Sequence, residues 1–111
     1  AALSASALPT HRFLFLGFPP PKSEKTRRLL HSLQEEEGTL IFYLPTRRMA
    51  DFLTLTMETL GDREAVVARQ LTKVHEELLR GPLSRILQEA GQRTLKGEAT
   101  VLIRGRQRGE R

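Results

Sequence analysis

Residues 39–44 read TLIFYL, a continuous run of apolar and β-forming side chains between Gly38 and Pro45. A run with apolar side chains at consecutive positions is typical of a strand that is buried on both faces of a sheet. Pro45 has no backbone N–H to donate and favours the end of the strand. The stretch therefore predicts an interior strand, around which the rest of the domain must be arranged.

Four other segments are predicted as strands, at residues 13–16, 65–71, 75–80 and 99–103. The link between the second and third of these segments is shorter than the roughly dozen residues that a parallel crossover needs. These two strands are therefore predicted to be antiparallel. The 75–80 segment is short and rich in charge, and it is predicted to lie at an edge of the sheet.

Three helices separate the predicted strands. Ser23 is predicted to be the N-cap of a helix over residues 24–34, and Thr46 the N-cap of a helix that stops at Gly61. Pro82 is predicted to open a third helix. Strands that alternate with helices predict a single α/β domain with a mixed, about five-stranded sheet flanked by helices.

Composition limits the class of protein. The 111 residues suffice for one domain, 1–111, and its basic end, 104–111, is predicted to fray. No cysteine is present, which excludes disulfides and thiolate metal sites and fits a reducing cytoplasm. The opening AALSASALP is shorter than the about 20 apolar residues of a membrane span, and no membrane contact is expected.

Charge is the one compositional hint of a partner. Eighteen Lys and Arg against 13 Asp and Glu give a net charge of +5. Such a balance suits a polyanion such as nucleic acid, although a solvated basic face would give the same count. The three histidines fall in three different predicted elements, so no metal site is expected.

Four motifs, in order, resemble one family. LPTHRFLFLGFPPPKS at 8–23 resembles the pattern LPTDRFLFEGFLPRKS, and LIFYLPTRR at 40–48 resembles LIFYESPHR. ARQLTKVHEELLRGPL at 68–83 is similar to ARELTKxHEExxRGTL, and KGEATVLIRG at 96–105 to KGEFVLVIEG. The family is the tetrapyrrole-methylase superfamily, in the branch that methylates ribose 2′-hydroxyls of small-subunit ribosomal RNA.

The resemblance implies that this chain is the C-terminal domain of a two-domain methyltransferase. S-adenosyl-L-methionine would lie between this domain and an N-terminal domain that the chain does not contain. The resemblance also implies a homodimer, a cytoplasmic location and a partner in ribosomal RNA or the small ribosomal subunit.

The same resemblance assigns roles to residues. The expected contacts to S-adenosyl-L-methionine are Tyr43, Leu44, Ala68, Leu71, Thr72 and Gly97, with Glu98 a weaker candidate. Lys73 is expected to orient the ribose hydroxyl or to stabilise charge on it during methyl transfer. The cations expected to contact RNA phosphate are Lys22, Lys25, Arg27, Arg28, Arg47 and Arg48.

The chain also departs from the family pattern. Acidic residues of the pattern are replaced by Leu16, Leu44, Gln70 and Arg104, and Arg47 replaces a histidine. Loss of these carboxylates leaves two alternatives open. One is a tetrapyrrole or corrin methyltransferase, and the other is a non-catalytic RNA-binding or scaffold relative that has lost the cofactor.

Overall fold

The computed structural model describes residues 12–70, 76–90 and 97–106. Within these ranges there are five strands, three α-helices and one 3-10 helix. The strands are β1 Phe13–Gly17, β2 Thr39–Pro45, β3 Glu64–Gln70, β4 Glu76–Pro82 and β5 Glu98–Ile103. The helices are α1 Ser23–Ser32, the 3-10 helix Thr46–Arg48, α2 Met49–Leu60 and α3 Leu83–Ala90.

The strands form one mixed sheet in the order β1-β2-β5-β3-β4. β1 is parallel to β2, and the other three pairings are antiparallel. The predicted single α/β domain with a mixed five-stranded sheet is confirmed. The antiparallel pairing of β3 with β4 and the edge position of β4 are confirmed as well.

Side chains alternate between the two faces of the sheet. On one face, which we call the helical face, Leu40, Phe42 and Leu44 pack in one core with buried residues of all three α-helices. On the other, the opposite face, Ile41, Val66 and Leu102 form a separate buried cluster. Among the described residues, no helix contributes to that second cluster.

Both predicted N-caps are wrong. Helix α1 begins at Ser23 itself, with Lys22 as N-cap, and it ends at Ser32 rather than near residue 34. Thr26 fixes this start, because its hydroxyl donates to the Pro20 carbonyl at 2.9 Å and its N–H to the Lys22 carbonyl at 3.0 Å. Thr46 lies inside the 3-10 helix that precedes α2, where its buried hydroxyl has no hydrogen-bond partner.

A carboxylate from a preceding loop caps α3 instead. Asp62 Oδ1 accepts the N–H of Ser84 at 2.8 Å, and Oδ2 accepts the Ser84 hydroxyl at 2.6 Å. These bonds satisfy a helix N–H that has no acceptor within the helix. Asp62 therefore ties the turn before β3 to the helix after β4.

One guanidinium joins the ends of three elements. Arg63 donates from Nε to the Leu60 carbonyl at 3.1 Å, from Nη1 to Arg104 at 3.2 Å and from Nη2 to Gln34 at 3.1 Å. The Arg104 carbonyl follows β5, the Gln34 carbonyl follows α1, and the Leu60 carbonyl is at the end of α2. Carbonyls at the ends of helices and strands lack a partner within their own element. Arg63 thus holds together the end of the domain that is remote from the carboxyl end of β2.

The prediction of a frayed end starting at Arg104 is wrong for residues 104–106. The Arg104 N–H donates to Glu64 at 3.0 Å and the Arg106 N–H to Glu36 at 2.7 Å, and Arg106 also pairs with Glu35. Residues 107–111 lie outside the described residues. Within the described ranges, no helix is both long enough and apolar enough to span a membrane.

We predict that Gly105→Ala destabilises the domain by about 3 kcal/mol or more. A Cβ at this position would lie 2.3 Å from the carbonyl oxygens of both Glu37 and Gly38, and backbone cannot move aside cheaply. Urea unfolding followed by circular dichroism measures the change. Arg106→Ala is the control and should cost less than about 1 kcal/mol, since its ion pair is exposed; equal stabilities of the two variants would contradict the close approach.

Candidate functional site

The carboxyl ends of β2 and β3 lie beside the amino end of β5, at one end of these three neighbouring strands. The last row of paired residues at this end consists of Pro45 in β2, Glu98 in β5 and Gln70 in β3. Two rows inward, on the same face, lie Tyr43, Thr100 and Ala68. We call this region the site edge.

The register brings together every described candidate for contact with S-adenosyl-L-methionine. Tyr43 and Ala68 share a row through Thr100, and Leu44 lies in the next row toward the edge. The Gly97 carbonyl accepts the N–H of Thr46 at 2.9 Å, which places Gly97 beside the exit from β2. Leu71, Thr72 and Lys73 lie outside the described residues, between the end of β3 and the start of β4 in the chain.

Tyr43 and Ala68 face away from the helices. The Tyr43 side chain is 43% exposed and Ala68 is nearly buried. Thr100 lies between them and is half-buried. Because both Ala68 and Thr100 are small, the Tyr43 ring stands at the border of a shallow surface on the opposite face.

The Leu44 side chain does not belong to this surface. It is 1% exposed and packs in the core on the helical face, because consecutive residues of a strand point to opposite faces. Although both residues are expected contacts to S-adenosyl-L-methionine, the Leu44 side chain therefore does not share a surface with the Tyr43 ring.

A partly buried ion pair, which was not predicted from the sequence, lies beside the site edge on the helical face. Arg69 is 1% exposed and donates from Nε to Glu77 at 3.1 Å, with Nη2 bonded to the same carboxylate. Its Nη1 is buried and has no hydrogen-bond partner. The alternation of Ala65, Val67 and Arg69 along β3 was the available signal, since it assigns all three to one buried face.

Leu44, Ala99 and Arg69 are paired across β2, β5 and β3 in one row of the helical face. The fork of Arg69 toward Glu77 uses Nε and Nη2, so Nη1 is on the edge of the guanidinium away from Glu77. The Leu44 side chain, in the same row, has no acceptor atom. The position at which the family pattern has glutamate is thus in the same row as a buried arginine with one unfilled donor.

The predicted RNA-contact residues divide into two groups. Arg27 pairs with Glu58 at 3.1 Å, Arg28 pairs with Glu24 at 3.7 Å, and Arg48 donates to the Pro20 carbonyl at 2.9 Å. Lys22, Lys25 and Arg47 are exposed, as Arg27 and Arg28 are, but form no ion pair with another described residue. Among the described residues, no group of three or more His, Cys, Asp or Glu could hold a metal ion.

Two more aromatic residues that the sequence analysis did not single out surround Tyr43. The Phe15 ring lies 5.6 Å from the Tyr43 ring, and the Phe18 ring lies 6.0 Å from it. Phe15 is on the opposite face of β1, beside Ile41 of β2. Phe18 follows β1 directly.

Sequence relatives support the resemblance. The chain is 39% identical over 104 residues to "Ribosomal RNA small subunit methyltransferase I" of Halalkalibacterium halodurans, covering 94% of this chain and 36% of the relative. It is 35% identical over 107 residues to the protein of the same name from Thermotoga maritima, covering 96% and 48%. The chain therefore spans between about a third and a half of the length of these relatives. No protein-family model matches the chain.

Two solved structures share the fold. The methyltransferase CobJ aligns with a TM-score of 0.65 and 18% identity, covering 97% of this chain and 48% of that one. The cobalt precorrin-4 methyltransferase CbiF aligns with a TM-score of 0.52 and 19% identity, covering 85% and 40%. These similarities confirm the expected methylase fold for this domain.

We predict that Glu77→Gln destabilises the domain by about 3 kcal/mol, because it leaves the buried Arg69 charge without a counter-ion. Thermal and urea unfolding measure this loss. Glu76→Gln removes the adjacent, exposed carboxylate and is the matched control, with an expected change within about 0.5 kcal/mol. Equal effects of the two substitutions would show that the Arg69 pair adds nothing to stability.

Proposed function

We propose that this chain, a homologue of the ribosomal RNA small subunit methyltransferase I proteins over nearly its whole length, forms one domain of an S-adenosyl-L-methionine-dependent methyltransferase. The proposed reaction is methylation of a ribose 2′-hydroxyl in small-subunit ribosomal RNA. The observation that carries the proposal is the register, which gathers Tyr43, Ala68 and Gly97 at one edge of the sheet.

The site edge has the chemistry that S-adenosyl-L-methionine requires. An aromatic ring beside two small side chains offers an apolar surface for an adenine ring or for the carbon chain next to sulfur. Exposed backbone at Gly97 would supply a hydrogen bond to one of its polar groups. When bound, S-adenosyl-L-methionine supplies an activated methyl group on a sulfonium centre.

The contribution of the protein to such a reaction is position and exclusion of water. We propose that Lys73 orients the attacking ribose hydroxyl or stabilises the charge that it develops as its proton leaves. Lys73 is in the segment that joins β3 to β4, whose flanking strands end at the site edge. Leu71 and Thr72 in the same segment are proposed contacts to S-adenosyl-L-methionine.

The proposed partners follow from the relatives. An N-terminal domain of the same protein would cover the site edge, since the chain spans less than half of each relative cited here. Ribosomal RNA or the small ribosomal subunit would approach through Lys22, Lys25 and Arg47. A homodimer and a cytoplasmic location are also part of the proposal.

A non-catalytic relative is the second candidate function, and one observation favours it. In this chain Leu44 stands in the row of the buried Arg69, and Arg69 Nη1 has no acceptor. A site edge that has lost a carboxylate beside a retained arginine is what relaxed selection on catalysis would leave. Methyl transfer distinguishes the two candidates.

The chain alone is predicted not to transfer a methyl group, because half of the enclosure would leave the reacting groups hydrated and unpositioned. We expect transfer when the chain replaces the matching segment of the Halalkalibacterium halodurans relative. The assay measures label passing from S-adenosyl-L-methionine to small ribosomal subunits.

In that chimera, Lys73→Ala should lower the rate by about 100-fold or more. Arg85→Ala, which removes an equal charge from the exposed side of α3, is the control. An inactive chimera that still binds S-adenosyl-L-methionine and small subunits would favour the non-catalytic candidate. Transfer by the chain alone would contradict the assignment of only one domain to it.

The salt dependence of RNA binding tests the basic residues. The logarithm of the RNA association constant falls as the logarithm of the salt concentration rises. Lys22→Ala with Arg47→Ala should make this negative slope shallower by about 1.4, which corresponds to the loss of two phosphate contacts on a single strand. Arg27→Ala with Arg28→Ala removes the same charge from residues already paired with Glu58 and Glu24. That control should change the slope little, and equal slopes for both double variants would contradict the proposed contacts.

A further inference from the structure

Three aromatic side chains form an exposed cluster at the carboxyl ends of β1 and β2. The Phe15 and Tyr43 rings are nearly perpendicular at 5.6 Å, and the Phe18 ring is tilted against Tyr43 at 6.0 Å. The exposed fractions are 61% for Phe15, 66% for Phe18 and 43% for Tyr43. We call these three residues the ring cluster.

The ring cluster differs from the aromatic contact in the core. Phe42 and Phe52 pair at 4.8 Å with exposed fractions of 0% and 2%, so their contact is part of ordinary packing. The ring cluster instead presents aromatic surface to solvent on the opposite face. Large exposed apolar side chains that lie together mark a binding surface more often than isolated ones do.

Cations lie on the two segments that leave the ring cluster. Lys22 follows β1 and Arg47 follows β2, and both are exposed. Arg48 fastens the two segments to each other through its 2.9 Å hydrogen bond to the Pro20 carbonyl. Glu98 is the diagonal neighbour of Tyr43 across β5, and its carboxylate would repel phosphate, which favours a phosphate path on the Lys22 and Arg47 side.

We propose that Phe15 and Phe18 of the ring cluster stack an unpaired base of the RNA substrate beside Tyr43, while Lys22 and Arg47 contact the phosphates that flank it. Aromatic faces beside a basic path are the combination by which proteins hold single-stranded nucleic acid. This inference rests on the proposed RNA methyltransferase function and names the form of RNA that the domain binds. A base held on Phe15 and Phe18 would keep the attached ribose close to Tyr43 and to the surface proposed for S-adenosyl-L-methionine.

The sequence provides a built-in reporter. Tyr43 is the single tyrosine and the chain has no tryptophan, so tyrosine fluorescence comes from the ring cluster alone. The 111-residue chain is titrated with a single-stranded oligoribonucleotide and with an abasic oligonucleotide of equal length and charge. N-acetyltyrosinamide at the same concentration corrects for light absorbed by the bases.

The base-bearing oligonucleotide is expected to quench Tyr43 and to bind at least roughly fivefold more tightly than the abasic one. Phe15→Leu and Phe18→Leu should remove most of that difference, because leucine keeps apolar bulk but cannot stack. Leu78→Ala, at an exposed apolar residue of β4 on the same face, should leave it unchanged. Thermal unfolding of each variant confirms that its fold is retained.

Equal affinity and equal quenching by the two oligonucleotides would overturn the stacking of a base, while leaving salt-dependent RNA binding and the proposed function in place. If the chain binds neither oligonucleotide, the stacking proposal is also overturned. The methyl-transfer assay of the chimera then tests the proposed methyltransferase function separately. A second copy of the chain is the competing occupant of the ring cluster, and analytical ultracentrifugation measures whether the chain dimerises. A dimer of the chain that Phe18→Leu dissociates would make the ring cluster a surface between copies instead.

Discussion

The alternation of side chains along β2 is the constraint on which both the core and the site depend. Residues 40, 42 and 44 must enter the core under the helices, and residues 41 and 43 must then point to the opposite face. A shift of one residue in the pairing with β5 would expose Phe42 and bury Tyr43. The burial of the even-numbered residues therefore fixes where the ring of Tyr43 stands, and with it the surface proposed to meet S-adenosyl-L-methionine and RNA.

The parts of the fold that were predictable are those that depend on local pattern. The apolar run at 39–44, the short link after residue 70 and the alternation of strands with helices each identify an element from its own residues. The errors come from contacts between distant residues. Thr26 binds the loop at Pro20 and so moves the start of α1, and Asp62 caps α3 from outside it. Residues 104–106 are ordered by backbone bonds to β3 and to the turn after α1, which no local pattern reveals.

The candidate site was predictable by position but not by the direction of side chains. Tyr43 and Leu44 were assigned together as neighbours in a motif, yet the strand sends them to different faces. Phe15 and Phe18 come into contact with Tyr43 only because β1 pairs with β2 in parallel. The charge of Arg69 is likewise compensated across a strand pair, by Glu77. A motif is linear, whereas each of these relations needs the register of the sheet.

The position of β5 has a consequence for biosynthesis. It is the last of the five described strands in chain order and the middle strand of the sheet, so β2 and β3 have no partner between them until the residues up to Ile103 have left the ribosome. Until then, apolar edges of both strands are exposed, and pairings between residues so distant in the chain form slowly. A nascent chain of this kind exposes these edges to its neighbours until β5 has been made, and premature termination shortly before residue 98 would release a product that cannot close its sheet.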